Sequence, residues 1–309
     1  EIAGFFAFSK YSNMPDHKSK HEPVPTEWES VYLMSPYNCY QNTVASNCFN
    51  QSFHHQAPVA GFRQHRPDGK AKLQNKIYIC ILMADYDSAT PLYESLRKFW
   101  DDKHRGEIPL IWRINPNLVE TYPDIIHYLY KTATANDYFG ADASAAGYMN
   151  PGRVLPQYMP LFITHNQKFF NQLDMTIAPM VLDWELPTNR VKDAFARFSP
   201  DGMGTIIYDF HSNKVWNQSP EVWKGMPVME LHNETGAVED YKKNAETILN
   251  HIASAPSGQP SFYFFRIVWT SPSDVLASLK LIREMRPGLN FELTDPYTFN
   301  SLFKEYYKK

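Results

Sequence analysis

From residue 76 onward the chain alternates between two hydrophobic patterns. Short, dense apolar runs rich in β-branched and aromatic residues alternate with longer stretches whose apolar residues recur at helical spacing. "KIYICILMADYD" (76–87), "EIPLIWRINP" (107–116), "DYFGAD" (137–142) and "TIAPMVLDWELP" (176–187) read as strands. So do "GTIIYDF" (204–210), "MPVMELH" (226–232), "SFYFFRIVWTS" (261–271) and "NFELTDP" (290–296). Between them lie helical patterns such as "SATPLYESLRKFWDD" (88–102), with Ser88 placed as an N-cap, and "PSDVLASLKLIREM" (272–285). Upstream, "SVYLMSP" (30–36) reads as a short buried strand, followed by a polar stretch to about residue 74. Residues 1–28 are polar and Pro-interrupted, and read as an N-terminal lead-in segment or the remnant of a preceding domain.

Strands apolar on both faces, each followed by a helix, specify a parallel α/β architecture. The number of strands over residues 29–309 predicts a single (β/α)8-like barrel of seven or eight strands. An open doubly wound sheet competes, but no Gly-rich phosphate loop follows an early strand.

In such a barrel, chemistry sits at the C-terminal ends of the strands. Those ends carry Asp85 and Asp87, Arg113 and Asn115, Asp142 and Ser144, and Asp183, Trp184 and Glu185. Further on come Asp209 and His211, Glu230, His232 and Asn233, then Trp269 and Asp295. Acids in these places also cap helices, a role that suits Asp87 and Asp295. Residues two apart share a strand face, so Asp85/Asp87, Asp183/Glu185, Asp209/His211 and Glu230/His232 are candidate pairs. Paired carboxylates suit glycoside hydrolysis, with one as acid and the other as base or nucleophile. The Asp-x-His and Glu-x-His pairs admit a second chemistry, a metal-dependent deacetylase. Neither a G-x-S-x-G elbow nor H-E-x-x-H is present, and no metal or cofactor is specified.

Composition narrows the partners. The formal net charge of -3 has no basic stripe and argues against nucleic acid, and no apolar run reaches the length of a membrane span. Aromatics at 15% fill a core and also offer planes on which sugar rings stack. Cys39, Cys48 and Cys80 form no CxxC; Cys80 reads as a buried strand residue, and Cys39 and Cys48 are left to pair or stay free. His54-His55 reads as surface or hydrogen-bonded histidine.

The run "FGADASAAGYMNPG" (139–152) concentrates small residues beside one tyrosine. It predicts a loop on the functional face in which the small residues make room, Asp142, Ser144 and Tyr148 offer polar contacts and Pro151 stiffens the exit. A tight turn with Tyr148 as a core plug is the alternative. The run resembles the signature of the GxGYxYP family: Gly147, Tyr148 and Pro151 agree, while Ala145 and Asn150 replace a Gly and a Tyr. "MADYDSA" (83–89) is similar to that family's acid-rich D-G-D-N strand end, with Asp85 and Asp87 kept and Tyr86 and Ser88 substituted. "RGEIPLIWRINPNLVETYPDIIHYLYKTATANDYF" resembles its Arg-Gly, Pro-x-x-Trp and Asn-Asp landmarks.

The resemblance, spanning roughly residues 30–300, implies a C-terminal domain built as a barrel of the glycoside hydrolase/deacetylase type. It also implies a carbohydrate partner, and a secreted, periplasmic or outer-surface bacterial location. The expected catalytic pool is Asp85, Asp87, Asp142, Asp183, Glu185 and Glu230. Ser144, Tyr148, Trp184, Trp269, Arg113, Asn115, His211 and His232 are the expected substrate contacts. A non-catalytic glycan-binding barrel is the competing reading.

Overall fold

A computed structural model describes residues 2–3, 27–42, 51–54, 56–57, 59–67, 71–209, 212, 214–235 and 240–308. Its centre is a long strand, β1 (Ile77–Tyr86), buried along nearly its whole length. β2 (Leu110–Ile114) and β3 (Asp137–Ala141) follow in parallel on one side. These three strands share a six-stranded parallel sheet with β7 (His232–Thr235), β8 (Ser261–Val268) and β9 (Phe291–Leu293), the last pairing with the start of β1. A second sheet joins β4 (Ile177–Asp183), β5 (Gly202–Asp209) and β6 (Met226–Glu230) in parallel. Short antiparallel strands at Lys214–Trp216 and Glu221–Trp223 complete it.

Among the described residues, the ladders form these two sheets, a separate two-residue parallel ladder between Ile2–Ala3 and Gln41–Asn42, and no closed ring, which corrects the expected (β/α)8 barrel to a mixed α/β fold. The sheets still meet at both edges. On one side the chain leaves β6 through Leu231, whose N–H donates to Thr205 O at 2.9 Å, and enters β7 in the other sheet. On the opposite side Ser144 ties the loop after β3 to β4. Its N–H donates to Met180 O at 2.9 Å, and its hydroxyl bonds Leu182 O at 3.1 Å. Close approach within the core fixes glycine at 204, because a Cβ there would lie 2.1 Å from Pro179 O and 3.1 Å from the Phe264 ring.

Alternate strand residues feed two cores. Ile79, Ile81, Trp112, Phe139, Val181, Val228 and Phe265 pack outward into a large layer that includes helix residues. Tyr78, Leu82, Ile111, Met180, Met229 and Phe264 face inward between the sheets. Phe299, Leu302 and Phe303 of the C-terminal helix α7 (Pro296–Tyr307) join this inner layer. Asp295 caps α7 as expected, accepting from Tyr297 N and Thr298 N.

The stretch 30–36 departs from expectation. It forms a helix, α1 (Glu27–Met34), then a tight turn at Ser35–Tyr37. Helical spacing puts Val31 and Ser35 on one buried face, with the Ser35 hydroxyl donating to Val31 O at 2.6 Å. Val31 joins the inner layer beside Ala143 and Tyr148, so α1 packs on the loop after β3. After β1 the expected helix starts as a π-helical stretch at Pro91–Ser95 and continues to Trp100, without a Ser88 side-chain cap. The remaining helices flank the sheets: α2 (Pro123–Thr132), α3 (Met159–Gln172), α4 (Asn189–Phe195), α5 (Tyr241–Ile252) and α6 (Pro272–Met285). No helix among the described residues is long and apolar enough to cross a membrane.

Candidate functional site

A group of charged side chains crowns the inner layer at the C-terminal ends of β1, β2, β3 and β8. Arg113 lies two residues after the inward Ile111, and Arg266 two after the inward Phe264, so both guanidiniums point between the sheets. Asp142 follows the inward Tyr138 by four and pairs with Arg113 Nε. β1 reaches the same face through an irregularity. Met83 stands opposite Trp112 and Tyr86 opposite Ile114, so β1 has one extra residue here. Tyr86 therefore stays in the outer layer, and the acids on either side of it turn inward. Asp85 Oδ1 lies 2.8 Å from Arg113 Nη1 and also pairs with Arg266 Nη2. Asp87 Oδ2 lies 3.8 Å from Arg113 Nη2.

This cluster sets its own charge states. Arg113 is 2% exposed, and burial lowers its pKa to about 10 with help from the Arg266 charge, against the pull of Asp85 and Asp87. Burial raises the cost of ionising Asp85, but Arg113 and Arg266 outweigh it and hold that carboxyl below its usual range. Asp87 goes the other way: burial, reinforced by the negative Asp85, keeps it above the usual range despite Arg113. Two neighbouring carboxyls thus hold protons with different strength, as acid–base work requires. The side chains of Asp85 and Asp87 remain 28% and 20% exposed, whereas Asp142 is sealed. Trp269 stands at the rim, 39% exposed, with its indole N–H donating to Asp85 O at 3.3 Å. Its backbone adopts a left-handed φ of 44°.

The small-residue run is buried from Ala141 to Asn150, contrary to the expectation of an open loop wall. Tyr148 is 3% exposed, packs in the inner layer and lies close enough to Arg113 to act on its charge. Gly147 takes φ +109° under the Tyr40 ring, where a Cβ would sit 2.3 Å from a ring carbon. Asn150 N–H donates to Ser35 Oγ at 2.9 Å, binding the run to α1.

The other expected residues lie elsewhere. Asp183 shares a strand face with the outward Val181 and is folded under the loop at Gly152, accepting from Gly152 N at 2.5 Å and Trp184 N at 2.8 Å. Burial lifts its pKa to about 7 against those two N–H bonds. Glu185 is exposed, so the strand-pair geometry expected for Asp183/Glu185 is absent. Trp184 is 5% exposed and packs at a tilt against Tyr32 of α1, ring centroids 4.2 Å apart, with the Arg153 guanidinium over the Tyr32 ring at 4.0 Å. Glu230 follows the outward Val228, and its carboxylate lies 3.7 Å from His232, whose ring packs at a tilt against His251 of α5 at 4.5 Å. Asp209 bonds Ser212, and His211 lies outside the described residues. Asn115 turns its side-chain oxygen to Asn117 N at 3.1 Å, shaping the turn after β2.

Arg266, in the strand "SFYFFRIVWTS", joins the cluster from outside the expected set; a lone cation inside an apolar, aromatic strand is the signal that marks it. Cys39 and Cys80 are free thiols, and Cys48 lies outside the described residues. No group of three or more His, Cys, Asp or Glu among the described residues is disposed to hold a metal.

Comparisons with known proteins bear on the fold and on the family. No curated protein matches this chain. A crystal structure of a putative hydrolase from Bacteroides thetaiotaomicron VPI-5482 superposes with a TM-score of 0.69 at 16% identity, over 90% of this chain and 55% of that one. The chain thus spans about half the length of that protein. A family model described as "GxGYxYP putative glycoside hydrolase C-terminal domain" matches residues 75–304, from the start of β1 into α7. With most of its length inside that match, the chain belongs to the GxGYxYP family.

Proposed function

We propose that this chain is a glycoside hydrolase domain in which Asp87 and Asp85 divide the acid–base work. The observation that carries the proposal is their opposed protonation on one guanidinium, at the only part of the cluster that solvent reaches among Asp85, Asp87 and Asp142. Asp87 holds its proton more tightly and serves as the acid that protonates the departing glycosidic oxygen. Asp85 stays ionised between two arginines and acts on the anomeric side, as base for a water or as nucleophile. Their separation in the complex with sugar selects between these roles, about 5–5.5 Å for a nucleophile and about 6.5–9.5 Å for a base. Trp269 supplies a sugar-stacking plane at the rim, and Arg113 with Arg266 fixes both carboxyls. Family membership and the hydrolase description of the structural neighbour support the reaction class.

The pH profile of kcat/KM on an accepted glycoside tests the assignment. Activity needs Asp85 ionised and Asp87 protonated, so the profile is a bell between the lowered pKa of one and the raised pKa of the other. Asp87→Asn removes the alkaline limb along with most of the rate. An unchanged alkaline limb in that variant removes Asp87 from the acid role. The glycan-binding reading has one observation of its own: Asp142 and Asp85 are committed to arginine pairs. Binding of a glycan with no product released on long incubation would favour it.

A further inference from the structure

We propose a second carbohydrate-binding site, on the flank of the molecule, in the cavity between the helical wall Pro91–Trp100 and α2. The cavity measures about 480 Å³, within the usual range for small-molecule sites. Leucine and isoleucine side chains form its floor, and Tyr93 and Tyr128 stand in its walls, 36% and 48% exposed. Its buried end is polar. His54 is 5% exposed, and its Nδ1 is held by both oxygens of Asp124 at 2.8 and 3.0 Å. The rings of Tyr93 and Tyr122 fix the imidazole from two sides, at 5.7 and 5.0 Å. With Nδ1 occupied by the carboxylate, Nε2 is the nitrogen left for a ligand, and it has no partner among the described residues.

The lining selects the ligand class. Glu94 and Asp124 oppose Arg97, so the cavity has no single-sign field to hold a phosphate or an organic acid. Two tyrosine faces with hydrogen-bonding groups at the end suit a neutral ring that has an apolar face and hydroxyls at its edge, which describes a sugar. The wall bearing Tyr93 and Glu94 is the π-helical stretch Pro91–Ser95, a geometry frequent at functional sites. That stretch begins four residues after Asp87 in the chain. The inference rests on the carbohydrate reading for its ligand class but not on catalysis at Asp87.

The test is saturation-transfer NMR with D-glucose, D-galactose, D-mannose, D-xylose and N-acetyl-D-glucosamine as probes. Wild type, Tyr128→Ala, His54→Ala and Asp87→Asn chains of matched melting behaviour are compared. At least one sugar is expected to receive saturation from wild type and from Asp87→Asn, and to bind about tenfold more weakly to Tyr128→Ala. Should His54→Ala not fold, the half-exposed Tyr128 position carries the comparison. The proposal is overturned if no probe is saturated by wild type, or if every saturated probe binds Tyr128→Ala as tightly as wild type. Binding that persists in a chain without hydrolytic activity would retain this site while removing the catalytic reading.

Discussion

The two sheets bring acids to the same end of the molecule and use them differently. In the sheet of β1, β2, β3 and β8, the strand-end charges point between the sheets and meet in one cluster of three carboxyls and two guanidiniums. In the sheet of β4, β5 and β6, Asp183, Asp209 and Glu230 follow outward-facing residues and end at separate places. Strand parity makes the difference: one residue of register decides whether an acid joins a shared pocket or serves the loop beside it. An acid at a strand end marks the functional face, but only its parity marks the site.

The largest expected effect lies inside the cluster. Arg113→Met leaves the sealed Asp142 without its partner and Asp85 with Arg266 alone, and is expected to cost about 3–5 kcal/mol in a urea unfolding experiment. If Arg113→Met melts like wild type, the cluster is not an interdependent unit. Next comes a pH effect from the second sheet. Asp183 binds a proton in the folded chain that the unfolded chain releases between its ordinary 3.8 and about 7. Stability from this group is therefore highest at the acid end and falls as pH rises through that window, by at most about 4 kcal/mol. Subtracting the stability of Asp183→Asn at each pH isolates the slope; a difference that is flat from pH 5 to 8 contradicts it.

Smaller effects sharpen the contrast. Gly204→Ala forces a methyl against Pro179 O and is expected to cost about 1–3 kcal/mol by calorimetry, with little change in the acid cluster. Glu185→Gln, on an exposed side chain, should change stability by no more than about 0.5 kcal/mol. A loss as large as that of Arg113→Met would mean that the two sheets do not divide their acids as described.

Much of the frame was legible in the residues. The alternation of dense apolar runs with helical spacing located β1 to β6, β8 and β9, because buried parallel strands need side chains apolar on both faces. Asp85 and Asp87 meet at one guanidinium, though the bulge that turns them inward has no local sequence mark. Closure was not legible. Whether β3 hydrogen-bonds to β4 depends on a ladder between distant segments, and here Ser144 supplies side-chain and loop bonds instead. The helix at Glu27–Met34 was missed because "SVYLMSP" is too short for its period to separate strand from helix. Pairing Asp183 with Glu185 failed for a related reason: β4 ends at Asp183, so the two-residue rule no longer applies beyond it.

The central claim is that the acids of the first sheet, rather than those of the second, do the chemistry. Product release from an accepted glycoside, followed for Asp87→Asn beside Asp183→Asn and Glu230→Gln, tests it most directly. The account predicts a loss of about 10²–10⁴-fold in kcat for Asp87→Asn in a folded protein, with the other two near wild type. Full activity in Asp87→Asn, with turnover abolished by Asp183→Asn or Glu230→Gln, would contradict it.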